Sequence, residues 1–213
     1  MIRLKSEKEI EIMKEGGKRH AFILKEVAKN VKPGISTKSL DEIALKLIKE
    51  GGDEPAFFNY TPEGVSYPYP ASLCVSVNDE VVHGIPLEEI ILQEGDVVSL
   101  DLGLVHRGLI TDGAITVPCG KISKDAKTLI EVTKKALDSG IREAKAGNTT
   151  GDIGFAIQEF VKPYGFGIVK ILSGHGVGYS VHEDPYVPNY GKRGDGEKLV
   201  PGMVIAIEPM LNI

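Results

Sequence analysis

The run VVSLDLG, Val97–Gly103, combines β-rich apolar residues with a single carboxylate, that of Asp101. The run LITDGAITV, Leu109–Val117, follows after a short turn and also contains one acid, Asp112. Two β-rich runs separated by a glycine-containing turn are typical of an antiparallel hairpin. We therefore predict a hairpin that carries one aspartate on each strand.

The length of the turn decides where the two carboxylates lie. A two-residue loop would place Asp101 and Asp112 on one face of the sheet, and directly opposite each other if the loop is His106-Arg107. A three-residue loop would separate them. Carboxylates about 5 Å apart repel each other, and buried charges need a partner or a metal ion. The pair therefore indicates a divalent cation, although an aspartate before a glycine is also a common turn residue.

The composition argues against several classes of partner. The chain of 213 residues has a formal charge of -5 and no dense Lys/Arg run, which argues against nucleic-acid and membrane binding. It contains no apolar stretch of transmembrane length, and its charged N-terminus does not resemble a signal peptide. Its 2 cysteines are too few for a disulfide framework. We expect a cytoplasmic protein with reduced cysteines that acts on small molecules or peptides.

Helical periodicity and capping residues predict four amphipathic helices. These begin near Ser6, at Ser36 or Thr37, at Ser123, and at Thr149 or Thr150, and the first two end at Pro33-Gly34 and Gly51-Gly52. Between the second and third helices, short β-rich runs predict strands at Leu73–Val77 and Val81–Val82. An aromatic, proline-containing stretch at residues 53–70 precedes them and predicts an ordered loop.

The chain contains an internal repeat in two parts. Residues 32–44 align with residues 145–157 over a glycine turn, a cap and a helix. Residues 92–101 align with residues 199–208, so that Asp101 corresponds to Glu208. We predict an α+β fold in which two pseudo-symmetric halves, about 1–118 and 119–213, share a mostly antiparallel sheet covered by helices. Such symmetry would bring the two acids together.

A glycine-rich segment, SGHGVGYSVHEDP at residues 173–185, lies between the two acids and contains His175 and His182. Glycines allow the backbone to approach neighbouring groups closely. A lone histidine is more often a structural polar residue than a ligand, but two of the chain's 5 histidines in one such segment favour a functional site. Imidazole together with carboxylates suits Mn, Fe, Co or Zn.

These features together resemble the type I methionine aminopeptidases, which have the pita-bread fold, along essentially the whole chain. The resembling segments are KPGIST (32–37), SVNDEVVHGIP (76–86), GDVVSLD (95–101), TDG (111–113), SGHGVG (173–178), HEDP (182–185) and PGMVIAIEPM (201–210). The segment at 76–86 separates this family from proline-specific pita-bread peptidases, which share the later His and Glu motifs. The chain resembles the short bacterial form, as a single catalytic domain over residues 1–213.

The resemblance implies a centre of two divalent metal ions, Co, Mn, Fe or Zn. The resemblance makes Asp101 and Asp112 ligands of two metal ions and His175 and Glu208 ligands of one of them, with a water or hydroxide between the ions. Such ions activate a water molecule for attack on a peptide carbonyl. Glu208 would also handle the proton of that water.

The resemblance also assigns residues that contact the substrate. His83 and His182 match positions that bind the substrate carbonyl and amide and stabilise the tetrahedral intermediate. Tyr69 and Cys74 match positions that line the methionine side-chain pocket. The resemblance therefore places the catalytic residues at His83, His182 and Glu208.

The sequence departs from the family's pattern in two places. Val181 stands where the family often has a bulky aromatic residue, so we expect a looser or repacked methionine pocket. The sequence ends at Ile213, before the region that supplies the family's last metal-bridging glutamate. Because the pattern is incomplete at its C-terminal end, we expect this chain to bind at most one metal ion tightly and to have little or no peptidase activity.

The function that the resemblance implies is a metal-dependent aminopeptidase, a monomer that removes the initiator methionine from nascent proteins with a small second residue. Its partners would be N-terminal methionine peptides of chains at the ribosome, in the cytoplasm. Two alternatives remain open: an Xaa-Pro-type aminopeptidase of the same fold, and a catalytically inert pita-bread binding protein that lacks the final glutamate. Retention of Asp101, Asp112, His175 and Glu208 favours an enzyme.

Overall fold

The computed structural model describes residues 1–61 and 64–213, so Pro62 and Glu63 of the predicted loop lie outside the described residues. The helices are α1 (Glu7–Ala28), α2 (Thr37–Glu50), α3 (Lys124–Glu143), α4 (Thr150–Val161) and a short 3₁₀ helix (Lys162–Tyr164). The strands are β1 (Glu54–Pro55), β2 (Leu73–Val77), β3 (Val97–His106), β4 (Leu109–Pro118), β5 (Gly167–Ile168), β6 (Gly174–Gly176), β7 (Glu183–Val187) and β8 (Leu211–Asn212). All strand pairs of these described ranges are antiparallel, in agreement with the predicted α+β class.

The helices begin at the predicted capping residues. Before α1, the backbone N–H of Ser6 donates to the Glu9 carboxylate at 2.8 Å, and the N–H of Glu9 donates to the Ser6 hydroxyl oxygen at 3.4 Å. Ser36 caps α2, and Thr149 caps α4, where Asp152 completes a second capping box. Such caps satisfy N–H groups that have no partner inside the helix. Within the described residues, no helix combines the length and apolar character that a membrane span requires.

The chain divides into two compact units, Glu11–Ser123 and Met1–Ile10 together with Lys124–Ile213. In the first unit, Ser36 forms an isolated antiparallel bridge with Ile91. In the second unit, Thr149 forms the equivalent bridge with Lys198. In each unit, therefore, the residue that caps a helix also pairs with the segment before the acid-bearing stretch, at positions that correspond in the sequence repeat.

The sheet of the first unit has one apolar face. Strand β3 pairs with β4 on one side and with β2 and β1 on the other. The alternate residues Val98, Leu100, Leu102 and Leu104 of β3 are fully buried and pack with residues of α1 and α2. Burial of such a side chain stabilises the fold by roughly 1.5–3 kcal/mol. Because side chains alternate along a strand, the residues between them, including Asp101, lie on the opposite face.

The β3–β4 hairpin has a two-residue loop, Arg107–Gly108, as predicted for acids on one face. Both loop residues have positive φ, 50° and 79°, which is the backbone of a type I′ turn. The loop lies one residue later than the His106-Arg107 loop that would have placed the acids directly opposite each other. Asp112 therefore pairs with Gly103 and Asp101 pairs with Ala114. The two aspartates share a face as diagonal neighbours, with their Cα atoms roughly 7–8 Å apart.

The strand predicted at Val81–Val82 is absent, and that prediction was wrong. The chain turns at Asn78, directly after β2, with a positive φ of 55°. Its side-chain oxygen accepts from the N–H of Val97 at 2.9 Å, and its amide donates to Asp96 at 2.8 Å. These bonds end the strand because they hold the turn against the start of β3. Val81 is consequently exposed.

In the second unit, α3 and α4 pack around a separate apolar cluster that includes Ala136, Ile153 and Ile157. The regular strand predicted to carry Glu208 is not formed, so that prediction was wrong. The segment makes one bridge, between Ile205 and Gly176, and the N–H of Ala206 donates to the carbonyl of His175 at 2.7 Å. Pro209 follows Glu208 and cannot donate to a ladder, which limits regular pairing at this point.

Candidate functional site

The hairpin acids share their face of the sheet with Cys74. Asp101 lies between Ala114 on β4 and Cys74 on β2, in direct cross-strand pairs. Asp101 and Asp112 are half-buried, whereas Cys74 is 2% exposed. Burial and the nearby negative charge of Asp101 raise the pKa of the Cys74 thiol. The thiol therefore stays protonated at neutral pH and is unsuited to act as a nucleophile.

Tyr69 contacts the backbone beside His83. Its hydroxyl donates to the carbonyl of Gly84 at 2.8 Å, and burial raises the pKa of the phenol, so it remains a donor. The N–H of Gly84 donates to the hydroxyl oxygen of Ser76 at 3.0 Å, and its carbonyl also accepts from the N–H of Val75 at 2.9 Å. A Cβ at Gly84 would lie 2.3 Å from the Val75 carbonyl oxygen, so this position requires glycine.

His83 precedes this fixed glycine. The residue is exposed and has a positive φ of 60°, a conformation that is uncommon for a residue with a side chain. The bonds to Gly84 hold the loop in this conformation, because they fix the two peptide groups that flank the Gly84 Cα, one through its N–H and one through its C=O. The structure thus gives Tyr69 a role in anchoring the loop of His83, which the sequence did not predict.

In the second unit, His175 lies beside Glu208. Its Nδ1 is 2.8 Å from the carbonyl oxygen of Gly176, and its Nε2 is 3.1 Å from Oε1 of Glu208. A carbonyl oxygen can only accept, so Nδ1 carries the proton, and in the neutral ring the lone pair of Nε2 is directed at the carboxylate oxygen. Two acceptors at this distance are suited to a shared cation.

Glycines on both sides of His175 permit this placement. A Cβ at Gly174 would lie 2.1 Å from the carbonyl oxygen of Ala206, and one at Gly176 would lie 2.1 Å from that of Asp184. The backbones approach so closely that no side chain fits between them. The glycine-rich pattern that singled out His175 in the sequence therefore reflects tight backbone packing around the histidine.

Asn189 holds the backbone at Glu208. It is completely buried, and its side-chain Nδ2 donates to the Glu208 carbonyl oxygen at 2.7 Å. Its Oδ1 has no hydrogen-bond partner within residues 1–61 and 64–213. The side chain of Glu208 itself is half-buried. No sequence pattern predicted this contact, because an asparagine between two β-rich runs is also a common turn residue.

His182 lies at the surface next to His175. The two ring centroids are 4.4 Å apart, in an edge-on arrangement. The following residue, Glu183, accepts from the backbone N–H groups of Tyr179 and Ser180 at 2.5 and 2.9 Å. Its carboxylate thus closes the loop that presents the His182 imidazole.

A buried lysine from the N-terminus completes this loop. The ammonium of Lys5 lies 2.6 Å from Oε2 of Glu183, and the two side chains are only 1% and 4% exposed. Burial alone would raise the pKa of Glu183, but the hydrogen bonds from Lys5 and from the backbone of Ser180 and Tyr179 outweigh it and lower this pKa. Sequence reasoning missed both residues because their separation along the chain leaves no local pattern.

A cavity of about 390 Å³ lies at the hairpin turn and is lined by residues 51–54 and 105–108. None of the predicted site residues lines it. Its polar groups pair with one another, since Asp53 accepts from Nδ1 of His106 at 2.8 Å and forms an ion pair with Arg19. The buried carboxylate at this cavity, that of Asp53, is therefore already paired with protein groups.

The donor atoms at both clusters fit a transition-metal ion. Asp101 and Asp112 supply carboxylates on one sheet face of the first unit. His175 and Glu208 supply an imidazole and a carboxylate in the second unit. The hydrogen bond from Nδ1 of His175 to a backbone carbonyl is typical of metal-ligating histidines, because it fixes the tautomer and the ring orientation.

Comparison with known proteins identifies the family. Residues 11–213 match the metallopeptidase family M24. The chain is 48% identical to a methionine aminopeptidase of Aquifex aeolicus over 216 residues, which cover 100% of this chain and 83% of the relative. It is 46% identical to methionine aminopeptidase 1 of Bacillus subtilis, again over 100% of this chain and 83% of the relative.

Solved structures give the same result. A methionine aminopeptidase from Thermotoga maritima superposes with a TM-score of 0.94 at 43% identity, covering 99% of this chain and 82% of that one. A prolidase from Pyrococcus horikoshii superposes with a TM-score of 0.81 at 26% identity, covering 97% of this chain and 55% of that one. The predicted pita-bread fold is confirmed by this likeness. The chain belongs to metallopeptidase family M24 and, within it, to the methionine aminopeptidases.

Proposed function

We propose that this chain removes the N-terminal methionine from peptides and nascent proteins whose second residue is small. The observation that carries the proposal is the pairing of Nε2 of His175 with the Glu208 carboxylate, with Nδ1 held by a carbonyl. This arrangement, in a chain of the methionine aminopeptidase family, supports a metal-dependent hydrolase. We propose that the substrate reaches it in the cytoplasm, at the ribosome, and that the chain acts as a monomer.

Four residues would hold the metal ions in this proposal. Asp101 and Asp112 would be ligands of two divalent ions, and His175 and Glu208 would be ligands of one of them. The carboxylate and imidazole donors suit Co, Mn, Fe or Zn, among which availability often decides. When bound, the ions lower the pKa of a water molecule so that it can attack the scissile carbonyl.

The protein's own groups orient the substrate and move the proton. A carboxylate oxygen of Glu208 accepts the proton of the attacking water and returns it to the departing amine. His83 and His182 contact the substrate carbonyl and amide, and an imidazole N–H donates to the carbonyl oxygen as negative charge develops on it. Both imidazoles are exposed. The loop of His83 is held by the hydrogen bonds of Gly84, and the loop of His182 is held by the contacts of Glu183.

Tyr69 and Cys74 would line the pocket for the methionine side chain. The Cys74 thiol is neutral, and a neutral sulfur suits contact with a thioether. The hydroxyl of Tyr69 donates to Gly84, so its ring is held in one orientation and offers an apolar surface. Val181 is buried at 4% exposure, and we propose that its small side chain leaves this pocket less tightly packed than an aromatic residue would.

Peptide hydrolysis by the purified chain tests the proposal. Met-Ala-x, Met-Leu-x and x-Pro-x peptides are incubated side by side with the metal-free chain to which Mn²⁺ or Co²⁺ has been added. We expect release of methionine from Met-Ala-x, with little from Met-Leu-x. Metal analysis of the same samples distinguishes one bound ion from two. Cleavage of x-Pro-x alone, or absence of both metal binding and cleavage, would contradict the proposal.

A further inference from the structure

His20 lies on α1 beside the strand that carries Asp112. Its Nδ1 is 3.2 Å from the hydroxyl oxygen of Thr111, and its Nε2 is 3.2 Å from the carbonyl oxygen of Gly113. The residue is only 5% exposed. The imidazole ring of His20 therefore contacts both chain neighbours of Asp112, the residue before it and the residue after it.

The two contacts define the protonation state of the ring. The carbonyl of Gly113 can only accept, so Nε2 of His20 carries the proton, and Nδ1 accepts from the hydroxyl of Thr111. Burial lowers the pKa of His20, which agrees with a neutral ring. Both nitrogens are thus used, one as donor and one as acceptor, and the ring has a single orientation that satisfies them.

The position of β4 gives these bonds their importance. Within the described ranges, β4 pairs only with β3, so its other edge has no neighbouring strand. The bond from His20 to the Gly113 carbonyl therefore adds a contact from α1 to a strand that has only one strand neighbour within those ranges. Helix α1 can approach this closely because residue 16 is glycine: a Cβ there would lie 3.1 Å from Cβ of His106 and 3.4 Å from Cγ2 of Thr111.

Side chains alternate along β4, so Asp112 points to the face opposite that of Thr111. We infer that His20 is a positioning residue for Asp112, fixing the backbone on both sides of this residue so that its carboxylate projects in one direction. The inference rests on the proposed function, in which Asp112 is a metal ligand. Loss of a contact that orients a ligand typically weakens metal binding 10–100-fold.

The test is metal affinity, which needs no catalytic turnover. Metal-free protein is titrated with Co²⁺ by calorimetry, and the visible absorption of bound Co²⁺ reports the coordination geometry. The variants are His20→Phe, which keeps a ring without nitrogens, and His20→Gln, whose amide can donate and accept. Thr111→Val removes one of the two bonds. Asp112→Asn tests the ligand itself, and Ile23→Val is the control, a core truncation on the same helix.

We expect His20→Phe to weaken Co²⁺ binding about 10–100-fold and to alter the absorption spectrum. His20→Gln should recover most of the affinity, and Thr111→Val should weaken binding about fivefold, as for one lost hydrogen bond. Ile23→Val should lower the melting temperature while leaving the affinity at the wild-type value.

Several outcomes would overturn the inference. If Asp112→Asn abolishes binding but His20→Phe leaves it unchanged, His20 does not position the ligand, although the proposed function stands. If Asp112→Asn has no effect, the assignment of Asp112 in the proposed function fails as well. If Ile23→Val lost as much Co²⁺ affinity as His20→Phe, the effect of His20 would be explained by a general loss of stability. If His20→Phe does not fold, unchanged affinity in Thr111→Val decides against the inference.

Discussion

Nε2 of His175 lies 3.1 Å from Oε1 of Glu208, and Nδ1 of the same ring donates to the Gly176 carbonyl. The hydrogen bond to the carbonyl assigns the proton to Nδ1, so in the neutral ring the other nitrogen presents a lone pair to a carboxylate. A second histidine, His182, lies against this ring with the centroids 4.4 Å apart. The two imidazoles are neighbours, yet His182 is exposed and His175 is half-buried beside Glu208, so we expect different roles for them.

Replacement of each histidine by alanine should separate ligation from catalysis. His175→Ala should lose tightly bound metal, because an imidazole ligand is removed. His182→Ala should keep its metal, while kcat falls about 10²–10³-fold through loss of a donor to the developing oxyanion. Metal content after dialysis and steady-state kinetics on Met-Ala-x check both. Loss of metal from His182→Ala would instead make that residue a ligand.

Cys74→Ser should change substrate affinity more than chemistry. Burial and the neighbouring Asp101 raise the pKa of the thiol, so it is not ionised at neutral pH. For Cys74→Ser we expect a higher KM for methionine peptides and a kcat near that of the unmodified chain. In the unmodified chain, Cys74 should react only slowly with iodoacetamide. A variant that holds its metal but has no activity would show that the thiol takes part in the reaction.

Lys5→Met should destabilise the second unit strongly. The change leaves the Glu183 carboxylate buried without its cation, and breaking a buried ion pair in this way typically costs about 3–5 kcal/mol. Because Glu183 closes the loop of His182, kcat should fall as well. The double variant Lys5→Met/Glu183→Gln removes both charges and should recover part of the free energy of unfolding.

Urea unfolding of these variants measures the free energies. Lys14→Met is a matched control, since Lys14 pairs with Glu11 at the surface, where both side chains are more than 60% exposed. A surface pair contributes about 0–1 kcal/mol, so this control should change little. Equal effects of Lys5→Met and Lys14→Met would show that burial of the first pair has no energetic consequence.

The stability of the metal-free chain should fall with acidification below about pH 6.5 because of His20. Burial lowers the pKa of His20 in the folded state below its unfolded value. Between the two values the unfolded chain binds a proton that the folded chain does not, so the free energy of unfolding decreases as pH falls through this window. Above the unfolded value the shift contributes nothing to the pH dependence.

Comparison of wild type with His20→Gln isolates this effect from other titrating groups. Urea unfolding at about pH 7.5 and about pH 5.5 should show that the wild type loses up to about 1.4 kcal/mol more than the variant, the value for one pKa unit. Identical losses in the two proteins would mean that His20 binds its proton equally well in the folded and unfolded chains.

Features that depend on near neighbours along the chain could be predicted from the amino-acid sequence. The caps at Ser36 and Thr149 and the alternation along β3 follow from local preferences of backbone and side chain. The hairpin was predicted from a local pattern, since its turn contains glycine. Its strand register could not be predicted, because the sequence was compatible with either of two adjacent two-residue loops. That difference moved Asp112 from a position opposite Asp101 to a diagonal one.

Tertiary structure alone decided the contacts that support these residues. Lys5 and Glu183 are 178 residues apart, and His20 reaches Thr111 across 91 residues, distances at which no periodic pattern connects them. The sequence pattern around Glu208 predicts a strand. In the structure its pairing depends on Gly176 of the glycine-rich segment, and Pro209 follows Glu208. The sequence specifies which side chains are present, but their burial depends on the packing of remote segments. That burial encloses the ion pair of Lys5 and lowers the pKa of His20 so that its ring is neutral.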